Sequence, residues 1–284
     1  YDETVRFFRD HPAERFNVVV FAYDWRRLPD ESAAWLARFL AEFTARVRRR
    51  LANAADPLRH VSFLAHSQGG LVLKLFLNSL AGANAILPRD WRGLAITVAT
   101  PFYGTDSVLR HFYRPMRELA WMPAYSRRDT LPALVSSFPG PYVLWPASRA
   151  DLDDATMPRL GLLRYPMRDD ESDAEADPYD PANRPRFPPW MGAHAWSLIA
   201  RAQHVARAVR APILPPLAER LFHLRAARNA GTGVEIRWRA DAADAEEPLH
   251  KSRAAYPDDR LGDGLVPFWS ARLAQTPDAR VHDI

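Results

Sequence analysis

The sequence predicts an α/β domain with a mostly parallel sheet and helices on both faces. Over the first third of the chain, short apolar runs typical of buried strands alternate with longer runs of helical periodicity. One strand-like run also stops at a serine, directly before a glycine-rich helix. The 284 residues and 48% hydrophobic content suffice for one large core, so we predict a single domain over 1–284 that carries an insertion.

The elements follow the order β-α-β-α-β. The β-branched run in residues 15–25, RFNVVVFAYDW, predicts a strand that is buried on both faces. In residues 30–51, apolar positions recur three and four residues apart, which predicts a helix. The runs 60–66 and 93–100 predict two further strands, with a second helix over 69–80 between them. Helical crossovers join parallel strands, so the carboxyl ends of the strands share one edge of the sheet, where the sites of such folds lie.

Composition and motifs exclude several classes of function. The formal charge of +4 comes from scattered arginines, and the tightest basic run, 46–50, ends a predicted helix, so we predict no nucleic-acid partner. The absence of cysteine excludes disulfides, a Cys nucleophile and thiolate zinc sites. The sequence contains neither a metalloprotease motif nor a glycine-rich phosphate loop, so we predict no metal and no cofactor. No apolar run is long enough to cross a membrane, and the location is left open because the chain begins at Tyr1.

Ser67 is the candidate nucleophile. It lies at a tight strand-to-helix turn, A-H-S-Q-G, in which the small residues Ala65 and Gly69 let strand and helix approach. This variant of G-x-S-x-G exposes the serine oxygen and directs the backbone N–H of Gln68 towards a developing oxyanion. The alternative is a serine that only caps the helix. Neighbouring strand residues face opposite sides, so His66 is predicted to face away from Ser67 and to pack into the fold.

Five segments, in order, resemble the lecithin:cholesterol acyltransferase-like lipases and acyltransferases of the α/β-hydrolase superfamily. They are FAYDWR at 21–26, AHSQGGLV at 65–72, TPFYGT at 100–105, SFPGPYVLWP at 137–146 and GDGLVP at 262–267. The resemblance implies an α/β-hydrolase fold with an inserted cap, with Ser67 as nucleophile and Asp263 as the acid. It also implies that 23–26 shape the site, whereas the residues alone favour a Trp and an ion-paired Arg that only anchor a loop.

The residues also favour Asp263 without the resemblance. A strand-like run at 231–240 precedes the glycine-flanked Asp263, and an acid after the serine is the order that this fold uses. The rivals are Asp241 and Asp244, in a charged stretch typical of a solvated loop. The acid orients the histidine that takes the serine proton.

The histidine base is not evident in the sequence. In this fold it follows the last strand, and the only histidine after Asp263 is His282, which lies inside ARVHDI, itself a predicted strand. We therefore expect the base beyond Ile284, with His282 as the fallback. The second oxyanion donor is likewise expected before Tyr1, so the chain is predicted to be truncated at both ends.

Residues from about 107 to 230 are predicted to form a cap or lid. The acidic stretch 168–180 predicts a mobile surface loop, and helical spacing over 195–209 predicts a packed helix. The large apolar residues of this region fit either an acyl-chain pocket or ordinary packing; they are Trp121, Met122, Phe187, Trp190 and Met191.

These features predict a serine ester hydrolase or O-acyltransferase that acts on lipid acyl esters through an acyl-enzyme on Ser67. Its partner is a lipid or another apolar acyl ester, and transient contact with a lipid surface is compatible with such a substrate. Two alternatives stay open: a non-catalytic binding protein of the same fold, and a carboxylesterase for small esters. Whether water or an alcohol accepts the acyl group is not encoded in these motifs.

Overall fold

A computed structural model describes residues 1–12, 16–50, 56–79, 83–113, 130–215, 217–227, 235–239, 249–252 and 262–284. The helices are α1 Asp2–Arg9, α2 Pro29–Arg50, α3 Gln68–Asn78, α4 Ala83–Ile86, α5 Asp106–His111, α6 Thr130–Val135, α7 Thr156–Leu160 and α8 Ala193–Arg210. The strands are β1 Phe63–His66, β2 Ala95–Val98, β3 Met167–Asp169, β4 Leu221–Arg225, β5 Glu235–Trp238, β6 Leu249–Ser252 and β7 Val281–Asp283. In the described part of the chain, no helix combines the length and apolarity needed to cross a membrane.

The main sheet has the strand order β1-β2-β4-β7, and every described pairing in it is parallel. This confirms the predicted α/β class. His66 lies opposite Val98, Val98 opposite Leu224, and Leu224 opposite His282, so the four strands end in one row. Because the strands are parallel, the loops that follow them all emerge at the same edge of the sheet.

A second sheet of three strands has the order β3-β5-β6, with β3 parallel and β6 antiparallel to β5. The strand predicted over 231–240 is therefore present as β5, outside the main sheet. Conversely, β4 falls inside the range 107–230 assigned to the insertion, yet it pairs with β2 in the main sheet. Sequence distance hid this pairing, because β2 and β4 are separated by more than a hundred residues and two short β-strands give no periodic signal of their partners.

The acidic stretch 168–180 was predicted to be a mobile surface loop. After β3 it consists of turns and irregular backbone, residues 170–175 are exposed, and several of its carboxylates are paired. Asp169 is buried, accepts N–H groups from Glu171 and Ser172, and pairs with Arg186 at 2.6 Å. Asp173 pairs with Arg237 at 2.6 Å. Ion pairs and turn hydrogen bonds thus compensate for the small apolar content of this stretch.

The predicted first strand is absent, and this prediction was wrong. Residues 16–23 form no strand in the structure, and Val19 and Val20 are 53% and 65% exposed instead of buried. Phe21 still packs on Phe39 at 5.6 Å between ring centroids. An apolar run becomes a strand only where a neighbouring strand accepts its backbone hydrogen bonds, and the described residues provide none for this segment.

Helix α3 forms the centre of the fold. It contacts β1 and β2 of the sheet and is covered by α2 and α8. Its side chains from Gly70 to Leu77 are all buried, including Lys74, whose Nζ donates to the carbonyl oxygen of Ala211 after α8. The predicted helices over 30–51, 69–80 and 195–209 are thereby confirmed as α2, α3 and α8.

Candidate functional site

Ser67 occupies a strained backbone position between β1 and α3. Its φ is 53° and its ψ is −130°, a region that non-glycine residues rarely adopt. The turn is held on both sides, since the Ser67 amide donates to the Val98 carbonyl at 2.9 Å and the Gly70 amide donates to the Ser67 carbonyl at 3.0 Å. Strain of this kind costs about 1–3 kcal/mol and persists only where surrounding contacts fix it. The helix-capping alternative is disfavoured, because the Ser67 side chain makes no capping hydrogen bond.

The two glycines that follow Gln68 differ in how much space they leave for a side chain. A Cβ added at Gly69 would lie 3.5 Å from the Tyr23 hydroxyl, which is ordinary contact. A Cβ added at Gly70 would lie 1.9 Å from Thr100 Oγ1, which no real structure tolerates. The sequence pattern predicted a role for Gly69 and none for Gly70. The second glycine of the QGG run is therefore the one that sets how closely α3 approaches the loop after β2.

Gln68 begins α3, where the first amides of a helix lack intrahelical acceptors and carry the positive end of its dipole. This is the position expected of an oxyanion donor. Its side chain is buried and points elsewhere, since Nε2 donates to the Trp25 carbonyl at 3.3 Å. Gln68 thus links the Ser67 turn to the loop 23–26.

The loop 23–26 is anchored against two other segments. The Arg26 carbonyl accepts the Gly140 amide at 2.8 Å, and a Cβ at Gly140 would lie 2.1 Å from the Trp25 carbonyl oxygen. Arg26 holds both Asp24 oxygens at 2.8 Å, which lowers the pKa of Asp24 to about 2. Burial raises the pKa of Tyr23 to about 12. The loop is anchored and also lies beside the turn, so the two interpretations of these residues are compatible.

Asp263 is exposed and directs its carboxylate into its own loop. Its Oδ1 accepts the amides of Leu265 at 2.8 Å and Val266 at 2.7 Å. The Leu265 carbonyl in turn accepts the Ser107 hydroxyl at 3.0 Å and the Thr105 hydroxyl. Since Thr105 and Ser107 follow β2, the Asp263 loop lies at the edge of the sheet to which Ser67 belongs. The rival acids Asp241 and Asp244 lie outside the described residues.

The described residues do not assemble a complete catalytic triad. Neither Ser67 nor Asp263 forms a hydrogen bond or ion pair with a histidine within that part of the chain. His66 is exposed, and its Nδ1 lies 2.7 Å from the Tyr1 hydroxyl. The predicted packing of His66 into the fold is therefore wrong, because β1 forms the edge of the described sheet. His282 lies inside β7, as predicted, and stacks on Phe222 at 6.2 Å.

His223 on β4 was missed by the sequence analysis. It is fully buried, with Nδ1 2.6 Å from Thr97 Oγ1 and Nε2 3.0 Å from Thr276 Oγ1. Burial makes the largest contribution to lowering its pKa to about 3, and nearby cations make smaller ones. Because both ring nitrogens already have partners, His223 joins β2, β4 and the segment before β7 and is not free to act as a base.

The aromatic residues of the insertion divide between packing and positions outside the described chain. Phe187 and Met191 are buried, and Phe187 stacks on Trp145 at 5.3 Å. Ordinary packing therefore explains these two, and Trp190 is partly buried against the same core. Trp121 and Met122 fall outside the described residues. In the described ranges, no group of three or more His, Asp or Glu side chains is arranged to hold a metal ion.

Comparison with known proteins supports the fold. No protein-family model matches the chain, and no curated protein matches it. A crystal structure of the Tle4-Tli4 complex contains a similar chain, with a TM-score of 0.58 and 15% identity. The likeness covers 87% of this chain and 57% of that one, so the chain spans little more than half the length of this neighbour. It shows an α/β-hydrolase type of fold and gives no support to the narrower lecithin:cholesterol acyltransferase-like family.

Proposed function

We propose that the protein is a serine ester hydrolase with Ser67 as its nucleophile. The observation that carries this proposal is the positive φ of a serine at the carboxyl end of a parallel strand, directly before a buried helix. A structural serine gains nothing from such strain, whereas a nucleophile needs its hydroxyl exposed above the sheet. The α/β-hydrolase type of fold places a nucleophile at this turn.

In the proposed reaction, Ser67 Oγ attacks the carbonyl carbon of an ester while a histidine base takes its proton. The oxygen that becomes negative accepts the Gln68 backbone N–H at the start of α3. The intermediate then expels the alcohol, which takes up the proton from the histidine, and leaves an acyl group on Ser67. Asp263 is the proposed acid that orients the histidine, supported by its charge, its place after Ser67 in the chain and its position at the same edge of the sheet.

We further propose apolar acyl esters, lipids included, as the substrate class. Two loops of the site edge present exposed apolar side chains: Trp25, 51% exposed beside the Ser67 turn, and Leu265, 63% exposed beside Asp263. Trp25 packs edge-to-face on Phe138 at 6.1 Å, which fixes its orientation. Exposed side chains of this size bordering a site favour an apolar ligand or a lipid surface. Water and an alcohol are both chemically competent acyl acceptors.

The nucleophile is tested by Ser67→Ala. We expect the hydrolysis of a p-nitrophenyl ester to fall at least about a thousandfold, because loss of a nucleophilic serine removes the covalent step. Labelling by a fluorophosphonate probe should disappear as well. Ser79→Ala, at the other end of α3, is the matched control and should keep both. Activity within a few-fold of wild type in Ser67→Ala would exclude Ser67 as nucleophile, and a wild-type protein that the probe does not label would favour a non-catalytic binding protein.

The substrate class is tested by comparing kcat/KM across p-nitrophenyl esters of increasing chain length. An apolar acyl site should raise kcat/KM from acetyl to longer chains, because each buried methylene lowers the free energy of the transition state by up to about 0.8 kcal/mol. A steady fall from acetyl onwards would favour the small-ester carboxylesterase instead.

A further inference from the structure

The loop that carries Asp263 is closed by its own backbone. Gly262 and Gly264 have φ values of +128° and +106°, a region that favours glycine, so the chain turns sharply on both sides of Asp263. Gly262 and Pro267 form an antiparallel bridge, and the Asp263 amide donates to the Val266 carbonyl at 3.4 Å. The direction in which this closed loop points is therefore set by its attachment to the rest of the fold.

One peptide unit, between Leu265 and Val266, attaches the Asp263 loop to the segment after β2. Its carbonyl oxygen accepts the hydroxyls of Thr105 and Ser107, the latter at 3.0 Å. Its N–H donates to Asp263 Oδ1 at 2.7 Å, and the Leu265 N–H donates to the same oxygen at 2.8 Å. A peptide unit is planar, so the two hydroxyls and the carboxylate oxygen are bound at opposite ends of a rigid group.

Thr105 and Ser107, here called the hydroxyl pair, match this carbonyl in number and in spacing. A carbonyl oxygen has two lone pairs, and the pair supplies one donor for each. The Thr105 oxygen also accepts the Ser107 amide at 3.3 Å as the N-cap of α5, which fixes the spacing of the two side chains. Thr105 is buried, and its amide donates to the Leu144 carbonyl at 2.8 Å. The hydroxyl pair is thus a fixed part of the fold, whereas Asp263 is at the surface.

We propose that Thr105 and Ser107 are positioning residues for the proposed acid, because they set the direction of the Asp263 carboxylate through a single peptide unit. Rotation of this peptide would move its N–H away from Oδ1, and the hydroxyl pair opposes that rotation because it holds the other end. Donation to a carbonyl also polarises the N–H of the same peptide, so the hydrogen bonds on the two sides strengthen each other. The proposal rests on the proposed function for the role of Asp263, whereas the hydrogen bonds themselves do not depend on catalysis.

The direction of the carboxylate matters because of the way an acid acts on a histidine. In a triad, the carboxylate holds the imidazole in one tautomer and one orientation, and it stabilises the charge that forms when the base takes the proton. Asp263 Oδ1 is occupied by two amides, and Oδ2 has no partner among the described residues. Oδ2 is thus the oxygen that a histidine can reach, and holding Oδ1 fixes where Oδ2 points.

Turnover of a p-nitrophenyl ester tests the positioning role. We expect Ser107→Ala to lower kcat about tenfold and Thr105→Val up to about a hundredfold, with KM unchanged within about twofold, because a misplaced catalytic group slows the chemical step and leaves ester binding intact. Thr105→Ser keeps the hydroxyl and should keep kcat within about threefold of wild type. Ser197→Ala on α8 is the matched control, since it also removes a hydroxyl that donates to a carbonyl, that of His194 at 2.7 Å.

A double-mutant cycle separates positioning of Asp263 from a general loss of structure. Adding Ser107→Ala to Asp263→Ala should lower kcat no further, because the group that Ser107 positions is already gone. Two effects on kcat that multiply would overturn the proposal, and so would wild-type kcat in the variant that combines Ser107→Ala with Thr105→Val. An active protein whose kcat is unchanged by Asp263→Ala would refute Asp263 as the acid and the positioning role with it.

Hydrogen exchange of the Val266 amide, followed by NMR, measures the same attachment without catalysis. We expect exchange to be at least about fivefold faster in Ser107→Ala than in Ser197→Ala, because the peptide that carries this amide loses one of its two hydroxyl donors. Equal exchange rates in the two variants would overturn the proposal. Faster exchange in Ser107→Ala together with a wild-type protein that hydrolyses no ester would instead refute the proposed function, and the catalytic role of the hydroxyl pair with it, while the attachment itself stands.

Discussion

The substitution Gly70→Ala tests the packing that forms the Ser67 turn. The added Cβ would lie 1.9 Å from Oγ1, 2.6 Å from Cγ2 and 2.7 Å from Cβ of Thr100. A different rotamer of Thr100 relieves the first two contacts but not the third, because Cβ does not move with χ1. Thr100 is fully buried and follows β2, so it has no room to retreat. Either α3 or the loop after β2 must shift.

The expected cost follows from two opposing terms. Overpacking of a well-packed region costs about 1–3 kcal/mol, and the fixed Cβ contact places this case at the upper end. Alanine in place of glycine inside a helix stabilises the helix by up to about 1 kcal/mol, which offsets part of this cost. The net loss of unfolding free energy is thus about 2 kcal/mol, which for a chain of 284 residues corresponds to a fall in Tm of about 3 °C.

Thermal and urea unfolding measure this cost, and Gly69→Ala is the matched control. Its Cβ would make only ordinary contact with Tyr23, so we expect its stability to equal or exceed that of wild type. In a double-mutant cycle, Thr100→Ala should restore part of the loss, since it removes Oγ1 and Cγ2. If Gly70→Ala is as stable as Gly69→Ala, the close approach of α3 to Thr100 is wrong.

Three further outcomes are expected. Burial lowers the pKa of His223 to about 3, below its value of about 6.5 in the unfolded chain. The contribution of neutral His223 to the free energy of unfolding should therefore be complete above about pH 6.5 and be lost towards pH 3, by at most about 1.4 kcal/mol per pH unit. In urea titrations, His223→Gln should reduce this dependence on pH. Burial lowers the pKa of Lys74 from 10.5 to about 7. The free energy of unfolding should therefore increase as the pH is raised from about 7 to 10.5, and Lys74→Met should abolish this increase. Asp263→Asn keeps an oxygen that accepts both loop amides, so Tm should stay unchanged while esterase kcat falls by about 10³–10⁴; unchanged kcat would place the acid elsewhere.

Local sequence patterns predicted the parts of the fold that depend on local structure. Helices α2 and α3 follow from periodicity, and the Ser67 turn follows from a serine with small neighbours between a strand and a helix. The failed strand over 16–23 and the missed β4 share one cause. Whether a short apolar run becomes a strand depends on a neighbour distant in sequence, and periodicity within the run carries no information about that neighbour.

In the candidate site, too, the sequence predicted what depends on local structure and missed what depends on distant contacts. Ser67 and Gln68 form one continuous turn, so their relative placement was set by local sequence. The placement of the Asp263 loop depends instead on hydrogen bonds that the Leu265 carbonyl accepts from Thr105 and Ser107, which are more than 150 residues away along the chain. The role of Gly70 was missed because its closest neighbour, Thr100, comes from the loop after β2, which is distant along the chain.

The loop after β2, residues 100–105, explains how the nucleophile and the proposed acid come to share one edge. At its start, Thr100 packs against Gly70 and so fixes α3 behind Ser67. At its end, the Gly104 carbonyl accepts the hydroxyl of buried Ser270 at 2.6 Å, and the Thr105 hydroxyl donates to the Leu265 carbonyl in the Asp263 loop. One short loop thus contacts both the nucleophile turn and the acid loop. Its sequence TPFYGT therefore carries positional information for two candidate catalytic groups although none of its own side chains takes part in the proposed chemistry.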